Sequence, residues 1–278
     1  MNTTPIQAAC HEAAALLADA DAVLITAGAG IGIDSGLPDF RGEQGFWRAY
    51  PALGTLGMRF HEIASPAAFH SMPEVAWGFY GHRLQLYRRT QPHAGFARLL
   101  DLSRQLPKGI GVFTSNVDGQ FQKAGITPGR IVECHGTIHH LQCLNGCGQS
   151  PWPADEFEPV IDAGQCKLMS ALPTCPACGG LARPNILMFS DWDWDDSATE
   201  RQLARLDAWL ARTEKLVVME IGAGTAIPTV RHYGESLGSP LIRINPTEAA
   251  VGDKRCISIE LGALEGITQI MDALANLQ

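Results

Sequence analysis

The chain has 278 residues, 46% of them hydrophobic and 18% charged, which excludes wholesale disorder and leaves room for one large domain or a large and a small one. Twenty-one Lys and Arg face 29 Asp and Glu, a formal net charge of −8. That balance excludes the dense basic surface of non-specific nucleic-acid binding, and no apolar run approaches the ~20 residues that span a bilayer.

The N-terminus has no basic start and carries Glu12 and Asp19 ahead of the first apolar strand. It does not read as an export signal. The eight cysteines are therefore expected in a reducing, cytoplasmic compartment, where clustered thiols favour metal over disulfides.

Residues 5–20 read as an Ala-rich helix and Ala22–Ala27 (AVLITA) as a short strand, followed by a turn with Gly28, Gly30 and Gly32. Glycines after a strand let the backbone approach a phosphate closely. The spacing is G-x-G-x-G, however, and no acid ends a second strand some twenty residues on, as a dehydrogenase fingerprint requires. Residues 74–89 read as an amphipathic helix, and Gly109–Thr114 and Ile131–Cys134 as strands.

Between Leu141 and Arg183 the texture changes to five cysteines, five prolines and few apolar runs, the composition of a loop-rich insert. Residues 197–213 then read as helix, Leu216–Ile221 and Leu241–Asn245 as strands, and 263–277 as a closing helix. Strands alternating with helices predict an α/β fold with a doubly wound parallel sheet.

Cys143 and Cys147 are separated by three residues, Cys175 and Cys178 by two, and each pair is followed by glycine. Four thiolates on two short knuckles suit a structural tetrahedral Zn²⁺ with no open position. Cys166 lies between the pairs and is an alternative to Cys147 as a ligand. A nucleic-acid zinc ribbon is disfavoured, because the insert has Lys167 and Arg183 against Asp155, Glu156, Glu158 and Asp162.

Four stretches occur in a recognisable order: GAGIGIDSGLPDFRG at 28–42, TSNVDG at 114–119, ECHG at 133–136 and CPACGGLARP at 175–184. Together they resemble the signatures of the sirtuins, the NAD-dependent protein deacylases, from about residue 20 to the C-terminus. The resemblance implies a Rossmann-like NAD-binding domain made of residues 1–45, 91–140 and 184–278. It implies a small domain made of a helical insert, 46–90, and a zinc-binding insert, 141–183.

It also implies roles. His135 is the general base, which suits an imidazole working near neutrality. Asn116 holds ribose hydroxyls or a water, and Asp118 accepts from the nicotinamide carboxamide. NAD is further expected to meet Gly28, Ala29, Gly30 and Ile31, then Asp39, Phe40 and Arg41 in a mobile loop, and Ser115 and Val117 beside the catalytic pair. The adenosine half falls to Gly222, Ala223, Gly224, Asn245, Pro246 and Leu264.

Tyr80 and Arg83, three apart on one helical face, resemble the Y-x-x-R element of sirtuins that accept succinyl, malonyl or glutaryl lysine. A guanidinium and a phenol suit a free carboxylate. Ala64 matches a position where a small residue makes room for a long acyl chain, and residues 50–60 add an insertion ahead of it. The plainer reading of the helix is Tyr80 in a core and Arg83 in solvent.

The sequence departs from the family pattern at Gly32, Ser115, Phe121, Phe189–Ser190–Asp191 and Gly222–Ala223–Gly224. These departures bear on substrate range. The expected function is transfer of an acyl group from a protein lysine to ADP-ribose with release of nicotinamide, the partners being acyl-lysine proteins and neither nucleic acid nor membrane. The alternative is ADP-ribosyl transfer or NAD hydrolysis on the same fold. A non-enzymatic NAD-sensing module is disfavoured by the presence of His135, Asn116 and Asp118. The oligomeric state is not legible.

Overall fold

A computed structural model describes residues 4–38, 42–250 and 256–277. Six strands form one parallel sheet: β1 (Ala22–Ala27), β2 (Ile110–Thr114), β3 (Ile131–Glu133), β9 (Leu216–Ile221), β10 (Leu241–Ile244) and β11 (Cys256–Ile259), in the order β11-β10-β9-β1-β2-β3. Between them in the chain come β4 (Gly136–Cys143), β5 (Trp152–Pro153), β6 (Ile161–Asp162), β7 (Lys167–Leu168) and β8 (Ala182–Ile186). The order reverses between β1 and β9, the switch point at which doubly wound sheets bind ligands.

The central strands are apolar on both faces because helices cover both. In β1, Val23, Ile25 and Ala27 enter the core under the N- and C-terminal helices. Ala22 and Leu24 enter a second core with Phe113, Leu206 and Trp209. The N-terminal helix, Pro5–Asp19, starts in a capping box: Gln7 donates its amide to Thr4 Oγ1 at 3.2 Å, and Thr4 donates its own to Gln7 Oε1 at 2.9 Å. Such caps satisfy donors that the first turn leaves orphaned.

The third core lies apart. It joins Phe46, Leu53, Phe69, Trp77, Phe79 and Tyr80 to Ile138, Leu141, Ala182 and Met188. Here β4 pairs antiparallel with β5 and β8, and β6 pairs with β7. The helix Pro73–Arg89 is fastened to this second layer by polar groups: Trp77 Nε1 donates to the Ala182 carbonyl at 2.9 Å and Gln85 Nε2 to the Pro159 carbonyl at 2.6 Å.

Several elements run differently from the sequence reading. The helix expected over 197–213 ends at Leu210, where Thr213 Oγ1 donates to the Leu210 carbonyl. The antiparallel strands β4 and β8 extend to Gly136 and Ile186, beyond the loop-rich stretch of the sequence. The helices Ala94–Gln105 and Thr229–Ser236 and the strand β11 add to the elements read from the sequence. Among the described residues no helix is long and apolar enough to cross a membrane.

Candidate functional site

The loops after β1, β2, β9 and β10 converge at the switch point. Gly28 and Gly30 follow β1 and Gly222 follows β9, and the two turns are in backbone contact: the Gly30 amide donates to the Gly222 carbonyl at 3.0 Å. A Cβ on Gly28 would lie 2.7 Å from Ala223 Cα, and Gly222 has a φ of +62° that side chains avoid. These glycines are therefore needed for the packing of one turn on the other, whatever they hold. Ala29 is exposed, whereas Ile31 is buried under the loop.

Two carboxamides hold the turns. Asn116 Nδ2 donates to the Gly28 carbonyl at 3.1 Å while its own amide N–H donates to Thr114 Oγ1 at 3.0 Å. Asn245 Nδ2 donates to the Ala223 carbonyl at 3.0 Å. Ser115 N bonds back to the Ala27 carbonyl, Val117 is buried, and Leu264 N donates to Asp34 Oδ2 at 2.8 Å, tying the last helix to the first loop. Pro246 and Gly224 are exposed. Asp39, Phe40 and Arg41 lie outside the described residues.

His135 sits in the tight connection between β3 and β4, at the carboxyl end of the parallel sheet. Its carbonyl accepts from Leu187 N at 3.0 Å. Gly136 follows at a φ of +74°, pressed against the Asn185 carbonyl, so a side chain there would drive the loop away from β8. Burial pulls the imidazole pKa below its usual 6.5, which keeps the ring neutral and able to accept a proton. The neighbouring Cys134 thiol is pushed up by burial to about 12 and is inert as a thiolate.

Asp118 is buried, and its Oδ1 accepts from Gln120 N at 2.9 Å. Burial pushes it up to about 6, against the pull of that amide and of the Arg83 guanidinium. The plainer explanation of Asn116 and Asp118, a capped turn, is satisfied in part by these bonds. It does not account for burial of the carboxyl.

Tyr80 and Arg83 are both buried, in contrast to the reading that leaves Arg83 in solvent. The guanidinium lies over the rings of Phe79, Tyr80 and Tyr87, 5.2–5.6 Å from their centroids. Its Nε and one terminal nitrogen donate to Tyr87 Oη at 3.0 and 2.8 Å. Ala64 is buried, and its carbonyl accepts from Phe189 N at 2.9 Å, joining the helical insert to the segment that follows β8.

The sequence reading missed three supports. His93 Nδ1 accepts from Gly95 N at 3.0 Å, so Nε2 carries the hydrogen and donates to the Ile31 carbonyl at 2.9 Å, holding the first glycine loop. Glu220, wholly buried at the end of β9, takes a two-pronged bond from Arg243 at 2.6 and 2.9 Å. Beside it, Arg231 donates through two nitrogens to the Ala223 carbonyl, the same oxygen that Asn245 holds. A charged residue inside an apolar strand was the available signal for Glu220 (LVVMEI); nothing in the sequence pairs it with two arginines.

Cys143, Cys147, Cys175 and Cys178 bring their sulfurs within 4.8 Å of one another, with two S···S distances of 3.6 Å. A tetrahedron with Zn–S near 2.3 Å has S···S edges of about 3.8 Å, so the donor set fits Zn²⁺. Gly180 N points at Cys178 Sγ at 3.4 Å, an amide-to-sulfur contact of the kind that orients thiolate ligands. Cys166 is not in the cluster; it is buried in the third core instead, so the four-sulfur set is complete without it.

For NAD, the fit rests on convergence. Loops from four strands meet at the switch point, two carboxamides pin their backbones, and a neutral imidazole stands at the end of β3. The Sir2 family model matches residues 28–218. An NAD-dependent protein deacylase of Thermus thermophilus is 29% identical over 268 residues, 94% of this chain and 93% of that protein. One from Aquifex aeolicus is 28% identical over 255 residues, 91% of this chain and 95% of that protein. The crystal structure of a Sir2 homologue–NAD complex superposes with a TM-score of 0.72 at 22% identity, over 96% of this chain and 94% of that one, which speaks for the fold. With the family model covering well over half of its length, the chain belongs to the Sir2 family.

Proposed function

We propose that this protein is an NAD-dependent protein lysine deacylase in which His135 is the general base. The observation that carries this reading is the placement of a neutral, half-buried imidazole beside loops that converge at the β1/β9 switch point. Its relatives in Thermus thermophilus and Aquifex aeolicus bear the name NAD-dependent protein deacylase. NAD, when bound, supplies an electrophilic ribose carbon and the ADP-ribose that accepts the acyl group.

The chain's own residues divide the rest. Asn116 fixes the first turn through Gly28 and presents its remaining amide capacity to a ribose hydroxyl or a water. Asp118 accepts from the carboxamide of nicotinamide. Gly222, Ala223, Gly224, Asn245 and Pro246 border the adenosine half, with Leu264 behind them. Asp39, Phe40 and Arg41 complete the cofactor loop. His135 takes a proton from the reacting ribose hydroxyls.

Two units serve the reaction: residues 1–45, 91–140 and 184–278 hold the dinucleotide, and 46–90 with 141–183 form the zinc-bearing partner module. Four thiolates suit a reducing compartment, so the cytoplasm is the proposed location.

We further propose a dicarboxylic acyl group, succinyl or malonyl, with Ala64 leaving room for the chain and Tyr80 and Arg83 receiving its carboxylate. A guanidinium packed among aromatic rings is strongly desolvated, and an incoming carboxylate gains correspondingly. The test is one peptide carrying acetyl- or succinyl-lysine, incubated with NAD and followed by mass spectrometry, with Arg83→Met alongside. Selective removal of succinyl, lost in the variant, is the expected result. Equal removal of both groups overturns the acyl assignment. Release of nicotinamide without removal of any acyl group overturns the deacylase and points to ADP-ribosyl transfer or NAD hydrolysis.

A further inference from the structure

Glu133 is a buried carboxyl that the proposed reaction does not use. It ends β3, in register with Thr114 of β2. Its backbone is clamped by the helix Ser197–Leu210: its N–H donates to Gln202 Oε1 at 2.9 Å, and its carbonyl accepts from Thr199 Oγ1 at 3.0 Å. The residue is only 5% exposed, and its Oε1 is buried with no hydrogen-bond partner.

The side chain lines a cavity of about 350 Å³ that Asp118 also lines, from the loop after β2. The other ionisable groups around it are Tyr87 and Arg88 from the helix Pro73–Arg89, Lys123 from the turn after Asp118, and His139 and His140 from β4. Lys123 Nζ is committed to the carbonyls of Tyr87, Arg88 and Thr90, and Arg88 to those of Ala154 and Phe157. His139 Nε2 lies 3.0 Å from the Asp118 carbonyl, and burial pulls both histidines toward the neutral ring.

Two carboxyls in one buried cavity do not both ionise cheaply, and their protons leave in coupled steps. Burial pushes Glu133 up to about 7, and the charge of Asp118 adds to the push. Asp118 has the Gln120 amide and the field of Arg83 to favour its ionised form. Glu133 is offered side-chain hydrogen bonds by Gln122, Thr137 and Gln202, yet its Oε1 is buried without a partner and the Asp118 charge adds to the cost of ionising it. Burial and that charge outweigh the three donors, so the proton resides on Glu133.

We propose that Glu133 is a positioning residue that holds a proton beside Asp118 in this cavity, so that Asp118 stays ionised at neutral pH and a second negative charge appears beside the nicotinamide site as the medium turns alkaline. The effect on catalysis rests on the reading that Asp118 faces the nicotinamide carboxamide. The nicotinamide ring of NAD is cationic and free nicotinamide is neutral, so the second charge favours the former.

The carboxyl pair is testable without turnover. Zinc-loaded protein labelled with ¹³C at Glu and Asp carboxyls is titrated by NMR between pH 5 and 9. Two steps above the ordinary carboxylate range are expected. The upper one should vanish in Glu133→Gln while the lower remains. In Thr137→Val, which removes a hydroxyl that favours ionised Glu133, the upper step should move to higher pH. Absence of any titration above pH 5.5, an upper step that survives Glu133→Gln, or no movement in Thr137→Val would overturn the proposal.

In kinetics, the ratio of the nicotinamide inhibition constant to the KM for NAD should rise several-fold from pH 6 to 8.5 and stay flat in Glu133→Gln. The same rise in that variant counts against the proposal. A protein that removes no acyl group at any pH fails the functional reading, and the NMR titration still decides the carboxyl pair.

Discussion

Arg183 and Asp191 form a two-pronged ion pair, with guanidinium–carboxylate distances of 2.8 Å on both arms and side chains 1% and 0% exposed. Arg183 also donates to the Ile186 carbonyl, and Asp191 Oδ2 accepts from Met188 N. The pair thus folds the segment after β8 back on the zinc-bearing sheet and holds Leu187 against His135 and Phe189 against Ala64.

Breaking such a pair from one side leaves an uncompensated buried charge, which costs about 3–5 kcal/mol. Asp191→Asn should therefore lower the denaturation midpoint sharply. Replacing both partners with apolar residues, Arg183→Met with Asp191→Leu, should recover much of the loss. A chemical denaturation series on the three variants checks this, and a double variant no better than the single one would contradict it.

Activity should fall on the acid side as His135 gains a proton. Its pKa lies below 6.5 because of burial, so the acid limb assigned to it should have its midpoint below that value. His135→Ala should abolish turnover while leaving the melting temperature and NAD binding near those of the parent, measured by calorimetry.

His93 makes stability depend on pH. Its ring bonds to Ile31 and Gly95 require the neutral form, and its pKa is lowered, chiefly by burial. The unfolded chain then binds a proton before the folded one does. Stability contributed by the neutral ring is present above about pH 6.5 and is lost as pH falls below it, at up to about 1.4 kcal/mol per unit. His93→Asn keeps an N-cap acceptor without a titrating ring. It should lose less stability than the parent between pH 7.5 and 5.5.

Removal of zinc should unfold the small module first. The four sulfurs hold together two glycine turns, and metal-binding energy in such sites is folding energy. Incubation with a strong chelator should release one equivalent of zinc, with loss of activity and a fall in melting temperature. Cys147→Ser should weaken zinc retention and Cys166→Ser should leave it unchanged, since Cys166 lies outside the cluster.

Glu220→Gln should remove the buried charge that Arg231 and Arg243 share beneath the β9 turn, leaving them Glu248 and Glu235 at its rim. Stability should fall, by less than the about 3–5 kcal/mol of a wholly unpaired buried charge. The KM for NAD should rise more than kcat falls, because Arg231 holds Ala223 in the turn proposed to border the adenosine half. An unchanged KM would remove that role from Arg231.

The sequence by itself determined five of the six parallel strands and the motifs. AVLITA and LVVMEI are β-branched runs apolar on both sides, and such runs can lie only in the middle of a covered parallel sheet. Their glycine turns, the ECHG stretch and the two cysteine knuckles are local patterns, so residue spacing alone announced them. What only the tertiary structure decided are relations between distant residues. Cys166 was separated from the other thiols by the packing of β7 on the helix Pro73–Arg89. Arg83 was carried inward because three aromatic rings cover its guanidinium. Glu133 and Asp118 came to line one cavity, and Glu220 met two arginines, because neighbouring strands and loops brought them together. Burial and long-range charge pairing have no period in a sequence, and they are what give these side chains their altered acidity.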